Sequence, residues 1–438
     1  MKKKVPVVTV ATPEEASRLE GLALEATVAL ADVGAAMKEG LLGFCADVGL
    51  TVMFQVMLDE MTRRVGPKHA RLPGREANWH GTTTGPVVLG GRLVSVERPR
   101  GRTKDGQEVE LDSWAVFSSK DLLDQLTAER VLAGVATRRH GDVSEPLTQE
   151  IDDHARGTGR SSVSRRWKQA TEAALAELMA RDLSGLDVAV VMVDGTEVAG
   201  QCCVAALVVT TDGTKVPVGL WLGDTENKTV VTALLSDLVA RGLETGAGLL
   251  VVIDGAKALA AGVAKVFGDK AVVQRCTIHK RRNVKGHLPQ ELGDKVDARL
   301  RLIFAGPDPA KGLDAAKRLA AELRPDHPDA AASLLEGLED MFTVRRLGIG
   351  GNLAEMLTCT NAIESMISVA RTTMRNVKNW RDGEMKKRWV AAGVLEAQRS
   401  FRRVRGYKQM PALVAALNRH LGPARPEPKR DNPEAVAA

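Results

Sequence analysis

LDVAVVMVDG, residues 186–195, decides the fold. Its apolar, largely β-branched residues run without the alternation that one wet face would impose. Such a run predicts a strand buried on both faces, and it closes on Asp194 and Gly195. The phrase nearly recurs as GAGLLVVIDG, residues 246–255, which predicts a second buried strand closing on Asp254. Between the two lies QCCVAALVVTTDGTKVPVGLWLGD, read as two strands joined across Thr211-Asp212-Gly213-Thr214. KTVVTALLSDLVARG then reads as a helix closed by Gly242. After the second aspartate come a helix, AKALAAGVAKVFG, and a fifth strand, KAVVQRC. The order β-β-β-α-β-α-β requires a mixed five-stranded sheet, so the fold class is α/β. Two hairpins make the first three strands antiparallel, and a helical crossover sets the fourth parallel to one of them.

If the two aspartate-bearing strands are parallel neighbours, Asp194 and Asp254 emerge together at the carboxyl edge of the sheet. Ligands bind at that edge in open α/β sheets, and each glycine permits a sharp turn out of the strand. Each aspartate alone reads equally as a strand-ending Asx turn. Together they repel, and a divalent cation between them removes that cost. Oxygen-only donors select a hard ion, so the expectation is Mg²⁺ or Mn²⁺ rather than zinc.

A third carboxylate comes from CTNAIESMISVARTTMRNVKNW, residues 359–380. Asn361 followed by Glu364 reads as an N-cap and its reciprocal partner. The helix also carries an apolar stripe (Ile363, Met366, Ile367, Ala370, Met374, Val377) fit to dock on the sheet. One face over lie Glu364, Ser368, Arg371, Arg375 and Lys378, a carboxylate at the head of a cationic stripe suited to a phosphate backbone. Three such carboxylates can hold two metal ions about 3.5–4 Å apart, the arrangement for in-line phosphoryl displacement.

Outside this core, residues 16–65 read as helices, with apolar positions such as Leu22, Val28 and Val33. Residues 66–118 are rich in Gly, Pro and Thr and alternate in the strand manner, predicting a hairpin about Lys104-Asp105-Gly106. SSKDLLDQLTAERVLAG is one helix. PLTQEIDDHARGTGRSSVSRRWKQATEAALAELMA reads as helix, glycine-bearing turn, helix, with Ser162, Ser164, Arg165, Arg166 and Lys168 near the start of the second helix. That is either a helix-turn-helix placing those side chains in a major groove or a plain αα-hairpin with a solvated basic face. Residues 277–345 read as helices broken at prolines, and the end, GPARPEPKRDNPEAVAA, as a disordered tail.

With 438 residues, 44% of them hydrophobic, the chain has material for about three domains of roughly 150 residues each. Its net charge of +6 suits a polyanionic partner. Five scattered cysteines argue for reduced thiols in a cytoplasmic, nucleoid-associated setting. The opening MKKKVPVVTVATPEE is too short in its apolar run for a signal peptide, and no run of about 18 apolar residues predicts a membrane span. The absence of a nucleotide-binding glycine loop argues against ATP-dependent action.

At VDG (193–195), GLWLGDTENK (219–228), VVIDGAKAL (251–259), QRCTIHKRRNV (274–284) and TNAIES (360–365), the chain strongly resembles the Mutator-like DDE transposases of bacterial insertion sequences. The likeness runs from about residue 155 to 395. It implies a ribonuclease-H-like catalytic core interrupted by an all-α insertion, with Asp194, Asp254 and Glu364 as the metal-binding triad for two Mg²⁺ or Mn²⁺ ions. Cys276 and His279 match the family's Cys-x-x-His signature. Read bare, they are half a zinc site, so a brace at the active-site edge or a contact to DNA is the expected role. The adjoining Lys280, Arg281, Arg282 and Lys285 either clamp phosphates or form a solvated helix face. One departure stands out: all six tryptophans lie outside residues 287–358, where such transposases often carry one to stack on a displaced base. Phe342 is the nearest substitute and reads better as core.

The expected organisation is therefore an N-terminal helical region for dimerisation or DNA binding at 1–65, a small β-rich unit at 66–118, and a helix-turn-helix DNA-binding domain at 119–183. The ribonuclease-H-like core follows at 184–286, then the all-helical insertion at 287–358, the C-terminal core helices at 359–405, and a last helix with the tail at 406–438. The function implied is a multimeric transposase. It would bind the terminal inverted repeats of its element, cleave the DNA and join the 3′ ends to target DNA. The alternatives are a structure-selective nuclease on the same fold and a domesticated DNA-binding regulator without catalysis.

Overall fold

The structure, a computed structural model, describes residues 41–421 apart from 71, 72, 146, 148, 226 and 247. The helices expected over 16–40 and the tail expected at 422–438 lie outside the described residues. The chain divides into two compact units between Ala170 and Thr171.

In the first unit, α1 (Leu41–Val65) packs on a two-stranded antiparallel sheet, β1 (Ala77–Leu89) and β2 (Arg92–Thr103). Met57, Met61 and Val65 of the helix meet Val87, Val96 and Leu111 in a small core. The hairpin turns at Gly90-Gly91 rather than about Lys104-Asp105-Gly106. Both glycines have positive φ (56° and 76°), which a two-residue turn matched to strand twist demands. The Asp-Gly pair makes a later, smaller turn, closed by the Gly106 amide on the Thr103 carbonyl at 3.0 Å. The stretch after it, read as strand, becomes helix α2 (Asp112–Ser118). Buried Glu60 of α1 explains this, because its carboxylate accepts from the amides of Asp112 and Ser113 and satisfies donors at the new helix's start. Helices α3 (Asp121–Leu132), α4 (Gln149–His154) and α5 (Arg160–Ala180) follow, the last running across the unit boundary.

The second unit holds the mixed sheet. Its strands are β3 (Val188–Val198), β4 (Gln201–Thr210), β5 (Lys215–Gly223), β6 (Leu249–Ile253) and β7 (Ala271–Arg275), in spatial order β5-β4-β3-β6-β7. β3/β4 and β4/β5 are antiparallel, while β3/β6 and β6/β7 are parallel. Helices α6 (Lys228–Ala240) and α7 (Lys257–Phe267) cover one face, with Val231, Leu234 and Leu259 buried against Val191, Val193 and Val251. Burial of each such side chain contributes roughly 1.5–3 kcal/mol. β3 does not end at Asp194: it continues, paired with β4, through Gly195 to Val198, and turns at Ala199-Gly200. Only its parallel pairing with β6 stops at Val193 opposite Ile253. Gly195 is thus a ladder residue opposite Val204, not an exit from the strand.

After β7 the chain is helical: α8 (Thr277–Gly286), α9 (Gln290–Ala305), α10 (Pro309–Leu323), α11 (Pro328–Leu335), α12 (Thr343–Arg346) and α13 (Gly351–Leu357). These helices enclose their own apolar cluster around Leu300, Leu319, Leu334 and Phe342. The layer is fastened to β7 by polar groups. The Gln274 side chain donates to the Met341 carbonyl at 3.0 Å and accepts from the Val344 amide at 2.9 Å. Arg275 pairs with Glu336 and Asp340 at 2.9 and 3.2 Å. Gly337, at φ 60°, presses on that guanidinium, where a Cβ would stand 2.4 Å from it.

Helices α14 (Asn361–Met374) and α15 (Gly383–Arg399) then return to the sheet, and α16 (Met410–Leu421) closes the described chain. The two returning helices touch at Gly393, where a Cβ would lie 2.6 Å from the Ala370 Cα. No helix among the described residues is long and apolar enough to cross a membrane.

Candidate active site

β3 and β6 position the first two carboxylates. Since Val193 faces Ile253 in a parallel ladder, Asp194 and Asp254 follow at the same level on neighbouring strands. Asp194 is buried, 7% exposed, with Oδ1 accepting from the Gly195 amide. Asp254 accepts from the Ala256 amide at 2.8 Å, so the Asx turn at the head of α7 is real and uses one carboxylate oxygen.

The third carboxylate arrives through α8. The Cys276 amide donates to the Ile253 carbonyl, extending the β6 edge, and its thiol caps α8 by accepting from the His279 amide. Thr277 ties its amide and hydroxyl to the Thr358 carbonyl, fixing the chain just before α14. Fully buried Thr360 then makes the junction. Its hydroxyl donates to Glu364 Oε1 at 2.5 Å and lies 3.3 Å from His279 Nδ1. His279 Nδ1 is 3.8 Å from Glu364 Oε1. The expected capping box is absent, because α14 begins at Asn361 with Thr360 at the cap position and no side-chain cap bond. Glu364 is held by a hydroxyl one turn back and does not serve orphan amides.

The charged groups of this edge act on one another. Burial pushes the Asp194 carboxyl up, and the charges of Asp254 and Glu364 push it further, to about 7, against an opposing pull from His279. His279 is raised to about 9, first by its hydrogen bond with Cys276 and also by the charges of Cys276, Glu364 and Asp194, against burial. Burial raises the Cys276 thiol, but hydrogen bonds from His279 and Thr360 outweigh it and the net direction is down. The donor atoms of Cys276, His279 and Glu364 lie within 4.8 Å of one another. The fold thus brings Glu364 to a pair whose sequence spacing supplied only half a ligand set.

Among the basic residues singled out in the sequence, several are occupied within the fold. Lys280 is 2% exposed, its ammonium bonded to the carbonyls of Ser333 and Glu336 and to the Glu336 carboxylate. Arg281 forks onto Asp297 and Lys285 pairs with Asp294. Arg166 donates to the Gly157 carbonyl and pairs with Asp124. Arg371 donates from Nε and Nη2 to Thr196 Oγ1, at 2.9 and 2.6 Å, and so pins α14 to β3 two residues past Asp194. Ser164, Arg165, Lys168, Arg282, Arg375 and Lys378 are exposed, and Ser162 is half-buried. The turn before α5 is clipped to β2, where Leu93 and Arg156 exchange backbone bonds of 2.7 and 2.8 Å. Phe342, 2% exposed, packs on Phe304 as core.

Thr360 and Thr196 escaped the sequence reading. Thr360 does carry a signal, its place four residues before Glu364 at helical-neighbour spacing, but Asn361 as a cap candidate masks it. Thr196 carries none.

A family model described as transposase, Mutator family, matches residues 24–403. The chain belongs to the Mutator family of transposases. This Mutator-family chain is 28% identical over 221 residues to a probable transposase for an insertion sequence element of Corynebacterium diphtheriae, covering 49% of the chain and 62% of that protein. It is 29% identical over 178 residues to the transposase for insertion sequence element IST2 of Acidithiobacillus ferrooxidans, covering 41% and 59%. The transposase for insertion sequence element ISRM5 of Rhizobium meliloti is 26% identical over 399 residues, covering 89% and 95%. The first two matches span about 60% of those relatives' own length.

Proposed function

We propose that this chain is a DDE transposase of an insertion sequence, with a ribonuclease-H-like core and the helical layer 287–358 as its insertion. It cleaves DNA at the ends of its element and joins the 3′ ends to target DNA. The observation that carries the reading is the parallel register that sets Asp194 beside Asp254; burial first, then the charge of Asp254 and, more weakly, that of Glu364, raise the Asp194 carboxyl to about 7. Carboxylates on two neighbouring strands and a helix head, offset only in part by His279, fit a hard divalent cation, Mg²⁺ or Mn²⁺, and two ions suit phosphoryl transfer. Asp194, Asp254 and Glu364 would hold them. Bound there, such ions would supply Lewis acidity, lowering the pKa of an attacking water or 3′-hydroxyl and offsetting charge on a leaving oxygen.

The chain's own groups prepare the place. Thr360 fixes the Glu364 rotamer, and Arg371 on Thr196 holds its helix over β3. Cys276 and His279 brace the edge beside Glu364. Asp194 would hold such an ion as the ionised carboxylate, so binding would release the proton that its raised value keeps. Exposed Arg282, Arg375 and Lys378 are placed to meet phosphates, and Ser162, Ser164, Arg165 and Lys168 to read the terminal inverted repeats in the helix-turn-helix manner. Lys280, Arg281, Lys285 and Arg166 are left out of that set, because internal acids or carbonyls already engage them. Two element ends must be held together, so the working form is a dimer or higher multimer in the cytoplasm, at the nucleoid.

The test is incubation of the purified full chain with labelled element ends and target DNA, with and without Mg²⁺. Joined 3′ ends that require the metal are expected. Metal-dependent nicking without joining, indifferent to end sequence, would replace this reading with a structure-selective nuclease.

A further inference from the structure

A cleft of about 380 Å³ opens beside the start of α14, among α8, α9, α12 and α13. Four guanidinium groups line it from four separate segments: Arg281, Arg301, Arg345 and Arg405. Their states differ. Arg281 is neutralised by its fork onto Asp297. Arg345 spends one nitrogen on the Ala305 carbonyl, and its buried Nε has no partner. Arg301 and Arg405 are exposed and make no hydrogen bond or ion pair among the described residues, although Arg301 adds to the field on Asp297. Against these stands one lining carboxylate, exposed Glu355.

Gathered guanidinium groups repel one another, and their planar forks match phosphate oxygens. The cleft offers little to a base. Its aromatic wall, Phe304, is 5% exposed and packed on Phe342 at 5.6 Å. Asn361 and Ala362 line the same cleft, and Glu364 follows within a turn of the same helix. The cleft therefore adjoins the carboxylate edge.

We propose that this cleft clamps the phosphates of a DNA strand beside the active site without reading its bases. The assignment rests on the DNA-processing function proposed above. It gives to Arg301, Arg345 and Arg405, which the fold assembles from distant segments, the phosphate holding that occupied Lys280, Arg281 and Lys285 do not supply.

The test is a salt series of fluorescence anisotropy with the full chain, on an element-end duplex and on an unrelated duplex of equal length. Arg301→Gln/Arg405→Gln is compared with Lys317→Gln/Arg324→Gln, which removes the same charge outside the cleft. Each lost phosphate contact lowers the slope of log K against log[salt] by about 1, so the cleft variant should lose about 2 on both duplexes. The control should keep the wild-type slope, and Glu355→Gln should bind several-fold tighter at low salt. Neither cleft arginine holds the fold, so thermal unfolding should not shift. A wild-type slope in the cleft variant, an equal loss in the control, or a loss confined to the element end would overturn the clamp. A variant with wild-type slope in a protein that still cleaves sinks the clamp alone. A wild-type chain that binds neither duplex at any salt sinks the functional reading with it.

Discussion

Asp194 and Asp254 stand one residue past the last rung of the parallel ladder, where Val193 faces Ile253. Strand pairing alone therefore sets how close their backbones lie, while Glu364 comes separately, on a helix from beyond the helical layer. Asp194→Asn, Asp254→Asn and Glu364→Gln should each lower strand cleavage by at least roughly 10²–10³-fold, the scale for removing one preorganised electrostatic group. Binding of element ends should persist. Gel-based cleavage and anisotropy on one preparation check this, and a substituted protein that still cleaves at the wild-type rate drops out of the triad.

The raised Asp194 carboxyl has a sign in stability. With its folded value near 7 and an ordinary value of 3.8, the folded state keeps a proton that the unfolded chain has released between about pH 4 and 7. Metal-free protein should lose stability from this group as pH rises through that window, on the order of 4 kcal/mol at the limit. In EDTA, Asp194→Asn should lie close to wild type in urea unfolding below about pH 4, gain on it as pH rises, and exceed it most at pH 8, and Mg²⁺ should narrow the gap. A gap independent of pH would mean the carboxyl is not raised.

Thr360 is a positioning residue. Thr360→Val keeps its shape but removes the hydroxyl between His279 and Glu364, at a cost of about 1–3 kcal/mol for the polar groups left unmatched. Cleavage should fall more than DNA affinity, and the Mg²⁺ concentration for half-maximal rate should rise. Thr360→Ser should restore both. Failure of the serine variant to rescue would point to packing rather than to the hydroxyl.

Lys280→Met tests whether that lysine meets DNA or the protein interior. The loss should be about 2–3 kcal/mol in chemical unfolding, below the range for fully buried pairs because Glu336 is over a third exposed. The salt slope of DNA binding should be unchanged at permissive temperature. A slope lowered by about 1 would return Lys280 to the phosphate-contacting set.

The sheet was legible in the sequence because its strands are apolar runs punctuated by turn residues, and the order of hairpins and crossovers admits few arrangements. The side-by-side placement of the two aspartates was legible for a related reason: each follows directly on an apolar run that pairs in parallel with the other. Side-chain direction was not. QRCTIHKRRNV is a basic run by composition, yet Lys280 points into the helical layer because α8 packs on α11, a contact between residues more than fifty positions apart. The hairpin at 77–103 was misplaced for a local reason. Asp-Gly and Gly-Gly both permit tight turns, and tertiary packing on α1 selected the pair that keeps Val87 and Val96 inward.

The fastening of β7 bears on how the protein can be cut. Gln274 and Arg275, with Lys280 just beyond, end their side chains in the helical layer at Met341, Val344, Glu336 and Asp340. Excising that layer and splicing the flanks would remove the carbonyls and carboxylates that now engage an amide, a guanidinium and an ammonium, and leave those groups to water. A minimal enzyme made by deletion would therefore lose the polar clasp that holds the end of β7 and the start of α8 in place.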